Sequence, residues 1–272
     1  MEIKGKIAMV TGAGSGIGQS VALELAKCQV SGLALVDRAA TVHDVVAKVN
    51  DLAGKMIAFP FVGDVTQAPF RKQVYDEIER RLGVARICVP AAGITRDSLA
   101  VRIDKVTGDV ILYAEESFRQ VMEVNLVAST YWVLEMIGRI AADRFRQNVG
   151  RWDPKKEKLQ GTAIFIGSVS SQGNKGQVAY AATKRGLEGV AATLMKEAMY
   201  YGVKCAVIHP GYTDTPMVRT LGDEFIEKSI LPFTQLKRLI RPEEIAGAIC
   251  FMIGNSAISG ELWCDAGWHP TA

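Results

Sequence analysis

Short apolar runs alternate with longer stretches of helical spacing along nearly the whole chain. Residues 7–10, 33–36, 56–62, 86–90, 162–167, 204–209 and 262–264 are rich in Val, Ile, Leu and Phe and too short for buried helices, so they read as strands. Between them, residues 17–28, 42–53, 69–82, 116–140 and 179–200 repeat apolar positions every three to four residues, as amphipathic helices do. Strands that are apolar almost throughout must be covered on both faces. Their alternation with helices therefore predicts a doubly wound α/β domain, with about seven parallel strands and helices on each side. No repeat or low-complexity linker divides residues 1–272, so one domain is expected.

Two segments interrupt this rhythm. Residues 103–111 place Thr107-Gly108 between short β-prone arms, which predicts a small hairpin. Residues 144–160 are polar and contain Asp153-Pro154, which reads as an extended surface loop. Either segment could be a solvated decoration or a border of a substrate entrance.

Composition narrows the function classes. Of 272 residues, 49% are hydrophobic and 22% charged, enough apolar surface for a large core and too much for disorder. A formal charge of +3 gives no electrostatic footprint for nucleic acid, and Lys155-Lys156-Glu157-Lys158 reads as part of the solvated loop. No apolar run approaches the roughly 18 residues of a membrane span, and the first residues lack a signal-peptide layout. The five cysteines are dispersed without a CxxC pair, which fits reduced core thiols and no metal site. A soluble, cytoplasmic protein acting on a small molecule, without membrane or nucleic-acid partner, is the expectation.

The chemistry begins at Thr11-Gly12-Ala13-Gly14-Ser15-Gly16-Ile17-Gly18, which joins the first strand to the first helix. Glycine lets the backbone turn tightly and approach a pyrophosphate, while the helix N-terminus offers unpaired N–H groups. Gly12, Ser15, Gly16, Ile17 and Gly18 thus form a candidate dinucleotide cradle of the Rossmann type. Asp37 ends the second strand, where a carboxylate can accept both adenosine ribose hydroxyls and repel a 2′-phosphate; the alternative is a turn or cap aspartate. Arg38 follows it and could clamp such a phosphate. On balance the pair favours NAD over NADP.

Tyr180 and Lys184 stand at i and i+4, on one face of the helix of residues 179–200. A phenol near pKa 10 is a poor base at neutral pH, and bringing it toward 7 takes about 4 kcal/mol. The neighbouring ammonium and an oxidised nicotinamide are the cations expected to supply this. Ser168 follows an apolar strand, which puts its hydroxyl at the carboxyl end of the sheet, where open α/β folds bind ligands.

With these residues in view, the chain resembles the short-chain dehydrogenase/reductase family along nearly its whole length. The shared features are the glycine turn, Asp64-Val65, Ala91-Ala92-Gly93, Asn125, Ser168, the Tyr180/Lys184 pair, and Pro210-Gly211 with Thr215. The resemblance implies adenine contacts from Asp64 and Val65 and a cofactor flanked by Ala91, Ala92 and Gly93. It implies a nicotinamide ribose held by Tyr180 and Lys184, and a carboxamide held around Pro210, Gly211, Thr213 and Thr215. Asn125, Ser168, Tyr180 and Lys184 would be catalytic, Asn125 bonding main chain and a water that links Lys184 to solvent. Three departures stand out, one being that the hairpin and the 144–160 loop are additions to the minimal family length. Pro90 replaces the usual asparagine, and the shorter distance to Tyr180 leaves Ser168 or Ser170 to present the hydroxyl.

Residues 93–99 and 173–177 are similar to the matching stretches of 3-oxoacyl-ACP reductases, which usually use NADPH. The added segments are similar to those of NAD-dependent 3-hydroxyacyl-CoA dehydrogenases. Ser170, Gln172, Tyr212 and Met217 would shape the substrate pocket, with residues 218–233 as a mobile lid. The resemblance also implies a homotetramer that pairs the helices bearing Asn125 and Tyr180. A non-catalytic nucleotide-binding regulator and a methyltransferase are the rival classes; neither needs Tyr180 paired with Lys184.

Overall fold

Alternation of side-chain direction along each strand divides the core into two halves, one on each side of a single sheet. The computed structural model describes residues 1–268. In chain order the elements are β1 (Ile7–Thr11), α1 (Gly16–Lys27), β2 (Gly32–Asp37), α2 (Val42–Ala53), β3 (Ala58–Val62) and α3 (Ala68–Leu82). Then come β4 (Ile87–Pro90), the antiparallel pair β5 (Val101–Ile103) and β6 (Val110–Leu112), α4 (Glu115–Met122) and α5 (Ser129–Arg146). The second half holds β7 (Gly161–Ile166), α6 (Val178–Glu197), β8 (Val203–Pro210), the short α7 (Pro216–Arg219) and α8 (Asp223–Phe225), α9 (Pro242–Gly254) and β9 (Gly260–Cys264).

Seven strands pair in parallel in the order β3-β2-β1-β4-β7-β8-β9. Ala8, Val10, Leu33, Leu35, Ile164 and Ile208 point into one half-core against α1, α2 and α9. Their neighbours Met9, Ala34, Val36, Phe165 and Val207 point into the other, against α3, α5 and α6. Each large apolar side chain fully withdrawn from water contributes about 1.5–3 kcal/mol. Burial on both faces therefore decides for strands here, over any local propensity. Trp132 and Tyr75 lock the second half: the indole donates to the Val65 carbonyl at 3.0 Å, and the phenol to the Trp132 carbonyl at 2.6 Å.

Chain order reverses between β1 and β4, which opens a crevice at their carboxyl ends. Two prolines respect the ladder. Pro60 lies in the edge strand β3. Pro90 is the last residue of central β4, beyond the Cys88–Ala163 pair where the β4–β7 register stops.

Three sequence expectations change. The 116–140 helix is two α-segments joined by a π-helical stretch, Glu123–Ala128, and extends to Arg146. Arg144 therefore belongs to a helix, not to the loop; it is buried, paired to Glu157, and donates to the Gly150 carbonyl. The remainder of the polar segment is latched down: Trp152 N donates to Tyr200 O, and Gln160 N to Gly202 O. That segment meets the amino ends of β7 and β8, opposite the crevice, so it does not border the crevice mouth. The hairpin lies on the crevice side, where the Tyr113 hydroxyl donates to the Arg96 carbonyl at 2.6 Å and Ser98 N to Gly176 O at 2.9 Å. Residues 218–233 hold the end of α7, then α8, a π-helical turn (Ile226–Ile230) and a 3-10 turn (Leu231–Phe233), anchored through Ile226 and Ile230 against Leu239.

Candidate active site

The turn after β1 is shaped by what a side chain would strike. A Cβ on Gly12, whose φ is +64°, would come within 2.7 Å of the Ala92 backbone, and one on Gly18 within 2.2 Å of the Gly12 carbonyl oxygen. Gly16 has φ +53°, with the Thr215 side chain 3.1 Å from the position of its missing Cβ. Helix α1 starts here with no acidic residue in its first turn and no side-chain cap from Ser15. Its free N–H groups and positive dipole end thus face the cleft with no acidic side chain from their own turn to neutralise them, which suits a pyrophosphate.

Asp37 stands at the rim of that cleft. Its Oδ2 accepts from Gly14 N at 2.8 Å and its Oδ1 from Ala39 N at 2.9 Å. Each oxygen keeps a further lone pair, enough to receive two ribose hydroxyls. The carboxylate therefore braces the glycine turn and faces the cleft as well. Asp64 caps the Thr66 backbone and hydroxyl, and those bonds hold its pKa below the usual carboxylate value.

One cavity of about 510 Å³ joins these parts. Ser15, Gly16, Ile17 and Gly18 line it with Gly12, and Asp37, Arg38, Asp64 and Val65 close one end. Ala91, Ala92 and Gly93 form the wall from β4; Tyr180, Lys184, Thr215 and Met217 form the other end. Gly63, Thr66, Ile94, Ile166 and the charged mouth residues Arg96 and Glu123 also line it and were not singled out from sequence. They adjoin recognised motifs in sequence or space, but no spacing rule marks them. Asn125, Ser168, Ser170, Gln172, Tyr212, Pro210, Gly211 and Thr213 are not among the lining residues. Gln172 is exposed, and Ser170 is buried under Asn174. Tyr212 packs edge-on against Trp268. Thr213 is buried with its hydroxyl on the Gly211 carbonyl, and Gly211 lies so close to Asp265 that a Cβ would clash at 2.7 Å.

At the inner end, Ser168 and Lys184 converge on Tyr180. The Ser168 hydroxyl accepts from Ser170 N at 3.1 Å and hydrogen-bonds the Tyr180 phenol, so the structure selects Ser168 over Ser170 as the phenol's neighbour. The Lys184 ammonium is buried, 5.3 Å from the Tyr180 ring centre, and donates to the Ile166 carbonyl at 2.7 Å. Desolvation governs both groups among the protein's own atoms. It pushes the phenol up to about 12, opposed by the Ser168 bond, and the ammonium down to about 8. Of the two cations expected to acidify the phenol, Lys184 does not outweigh burial among the protein's own atoms. Asn125, fully buried in the π-helical stretch, clamps the Ile94 peptide, accepting from its N–H at 2.8 Å and donating to its carbonyl at 2.9 Å. A π-bulge often marks such a site, because it turns one side chain out of helical register.

Comparison with known proteins decides the lineage. Residues 6–225 match the model of the short chain dehydrogenase family. The chain belongs to that family. It is 32% identical to the 3-oxoacyl-[acyl-carrier-protein] reductase FabG of Escherichia coli (strain K12), over 96% of each chain. It is 33% identical to the protein of the same name in Pseudomonas aeruginosa, over 94% of this chain and 93% of that one. A crystal structure of a short-chain type dehydrogenase/reductase from Mycobacterium marinum shares the fold, with TM-score 0.80 at 23% identity, covering 98% and 96% of the two chains. As a short chain dehydrogenase, the protein is an oxidoreductase acting on CH–OH groups with a nicotinamide cofactor, and the glycine cradle fits that cofactor. Among the described residues, no helix is long and apolar enough to cross a membrane.

Proposed function

We propose that this enzyme interconverts a 3-oxoacyl and a 3-hydroxyacyl thioester with NAD(H) as its coenzyme. The observation that carries the reading is the contact of Ser168 with Tyr180, which with Lys184 lines one end of a cavity whose other end is lined by Asp37. The bound nicotinamide would supply or accept the hydride. Ser168 holds the substrate oxygen, and Tyr180 gives that oxygen a proton during reduction or takes one during oxidation. Lys184 and the oxidised coenzyme's positive charge offset the burial that raises the phenol. Asn125 fixes the Ile94 wall and offers Lys184 a route to solvent. Gly12, Ser15, Gly16, Ile17 and Gly18 hold the pyrophosphate, Asp64 and Val65 the adenine, and Pro210, Gly211, Thr213 and Thr215 the carboxamide. Met217 from the cavity wall, together with Ser170, Gln172 and Tyr212, contacts the acyl portion, and residues 218–233 close over it.

Asp37 supports NAD, since a 2′-phosphate would meet a carboxylate already committed to Gly14 and Ala39. The relatives named for 3-oxoacyl-ACP reduction favour the acyl thioester, and Arg38 beside Asp37 keeps NADPH as the second reading. The test is NADH and NADPH oxidation at matched concentration with a panel of β-ketoacyl thioesters. Turnover should favour NADH at least tenfold, and Asp37→Ala should erase that preference. Tyr180→Phe should lower kcat by a thousandfold or more while NADH affinity, read by fluorescence, changes less than threefold. Equal use of both coenzymes by the wild type would overturn the NAD assignment. The protein acts as a cytoplasmic single-domain homotetramer in this reading, with light scattering as the check on assembly.

A further inference from the structure

A second cluster of chemically capable side chains lies next to Ser168, and none of its members lines the cavity. His209 of β8 is fully buried, its ring stacked on Trp263 of β9 at 4.2 Å with 14° between the planes. Its Nδ1 lies 3.2 Å from the Ser168 carbonyl oxygen. Its Nε2 faces two carboxylates, Glu261 Oε2 of β9 at 3.1 Å and Glu188 Oε1 of α6 at 3.8 Å. The Glu188 side chain is only 9% exposed. Arg185 pairs with its Oε2, whereas the buried Oε1 has no hydrogen-bond donor among the described residues. Leaving a buried acceptor unpaired costs about 1–3 kcal/mol, and more for a charged group.

We propose that Glu188, His209 and Glu261 form a binding site for a divalent transition-metal cation of the zinc type. The three ligand atoms lie within 4.8 Å of one another. Tetrahedral coordination with bonds near 2.0–2.1 Å puts ligand atoms about 3.3 Å apart, and the separations of 3.1 and 3.8 Å from the imidazole straddle that value. One imidazole with two carboxylates suits zinc better than magnesium or calcium, which take more ligands and prefer oxygen throughout. Nδ1 lies between the Ser168 carbonyl at 3.2 Å and the Ser168 N–H at 3.3 Å; with its proton donated to that carbonyl, the Nε2 lone pair faces the carboxylates, which is the tautomer a bound cation requires. Arg185 offsets one of the two negative charges, and the other remains for the cation. A bound ion ties the edge strand β9 and helix α6 to β8 beside Ser168, and it takes no part in hydride transfer.

The test uses the full chain, stripped with EDTA and dialysed, then titrated with Zn²⁺ by calorimetry and with Co²⁺ by visible absorption; Mg²⁺ is the control. A single Zn²⁺ per chain is expected. The Co²⁺ form should show the intense visible bands of a four-coordinate nitrogen/oxygen site, without the near-ultraviolet band of a thiolate ligand. Replacing buried His209 can disturb folding, so the half-exposed Glu261 carries the test. Glu261→Gln should weaken Zn²⁺ binding at least tenfold with an unchanged far-ultraviolet spectrum, and Glu188→Gln should do the same. Absence of Zn²⁺ binding to the wild type, wild-type affinity retained by either variant, or a thiolate band would overturn the proposal and leave the cluster holding only a proton.

Discussion

Lys184 keeps its ammonium in a space that disfavours charge, with the Ile166 carbonyl accepting its hydrogen bond. Burial brings its pKa from 10.5 to about 8. Between those values the unfolded chain holds a proton that the folded chain does not, so this group makes stability rise with pH across that window. Below about pH 8 its destabilisation is present in full. Lys184→Met is therefore expected to raise the thermal midpoint by several degrees at pH 7, an advantage that shrinks as melts are repeated toward pH 10. An advantage that grew with pH would contradict the buried-ammonium account. The i, i+4 placement of Tyr180 and Lys184 was legible because one helix carries both. Their pKa directions were not, since those depend on how much of the surrounding fold excludes water.

At the scale of elements, the glycine turn and the π-helical stretch show what a local pattern can and cannot convey. Gly12, Gly16 and Gly18 announce a tight turn because no other residue tolerates such an approach, and the structure shows the contacts directly. Gly18→Ala should weaken NADH binding at least tenfold, read by fluorescence, and lower the unfolding midpoint, because its Cβ would meet the Gly12 carbonyl at 2.2 Å. The stretch Glu123–Ala128 looked like uninterrupted helix, as its apolar spacing barely differs from that of its flanks. What departs from α geometry is Asn125, pulled toward the Ile94 peptide by two hydrogen bonds that only the folded chain brings within reach. The helix end at Arg146 was missed for a related reason. A buried arginine looks like loop polarity until its partner Glu157 is in place.

For the whole molecule, alternating strand and helix periodicity was enough to predict a parallel sheet covered on both faces, because a strand apolar at every position has no solvent side. Strand order was not read from that pattern. It places β1 and β4 side by side and so decides where the crevice opens. The same order brings α6, β8 and β9 together, and with them Glu188, His209 and Glu261, which no sequence spacing connects.

The polar stretch that follows α5 is fastened at the end of the sheet opposite the crevice, through Trp152 on Tyr200 and Gln160 on Gly202. Its solvated tip around Lys155 and Lys156 is thus remote from every group proposed to touch coenzyme or substrate. A peptide tag or small fluorescent domain spliced between those two lysines should leave kcat and KM within twofold of the unmodified enzyme. The protein thereby carries a natural attachment point for immobilisation or imaging that does not trade against turnover.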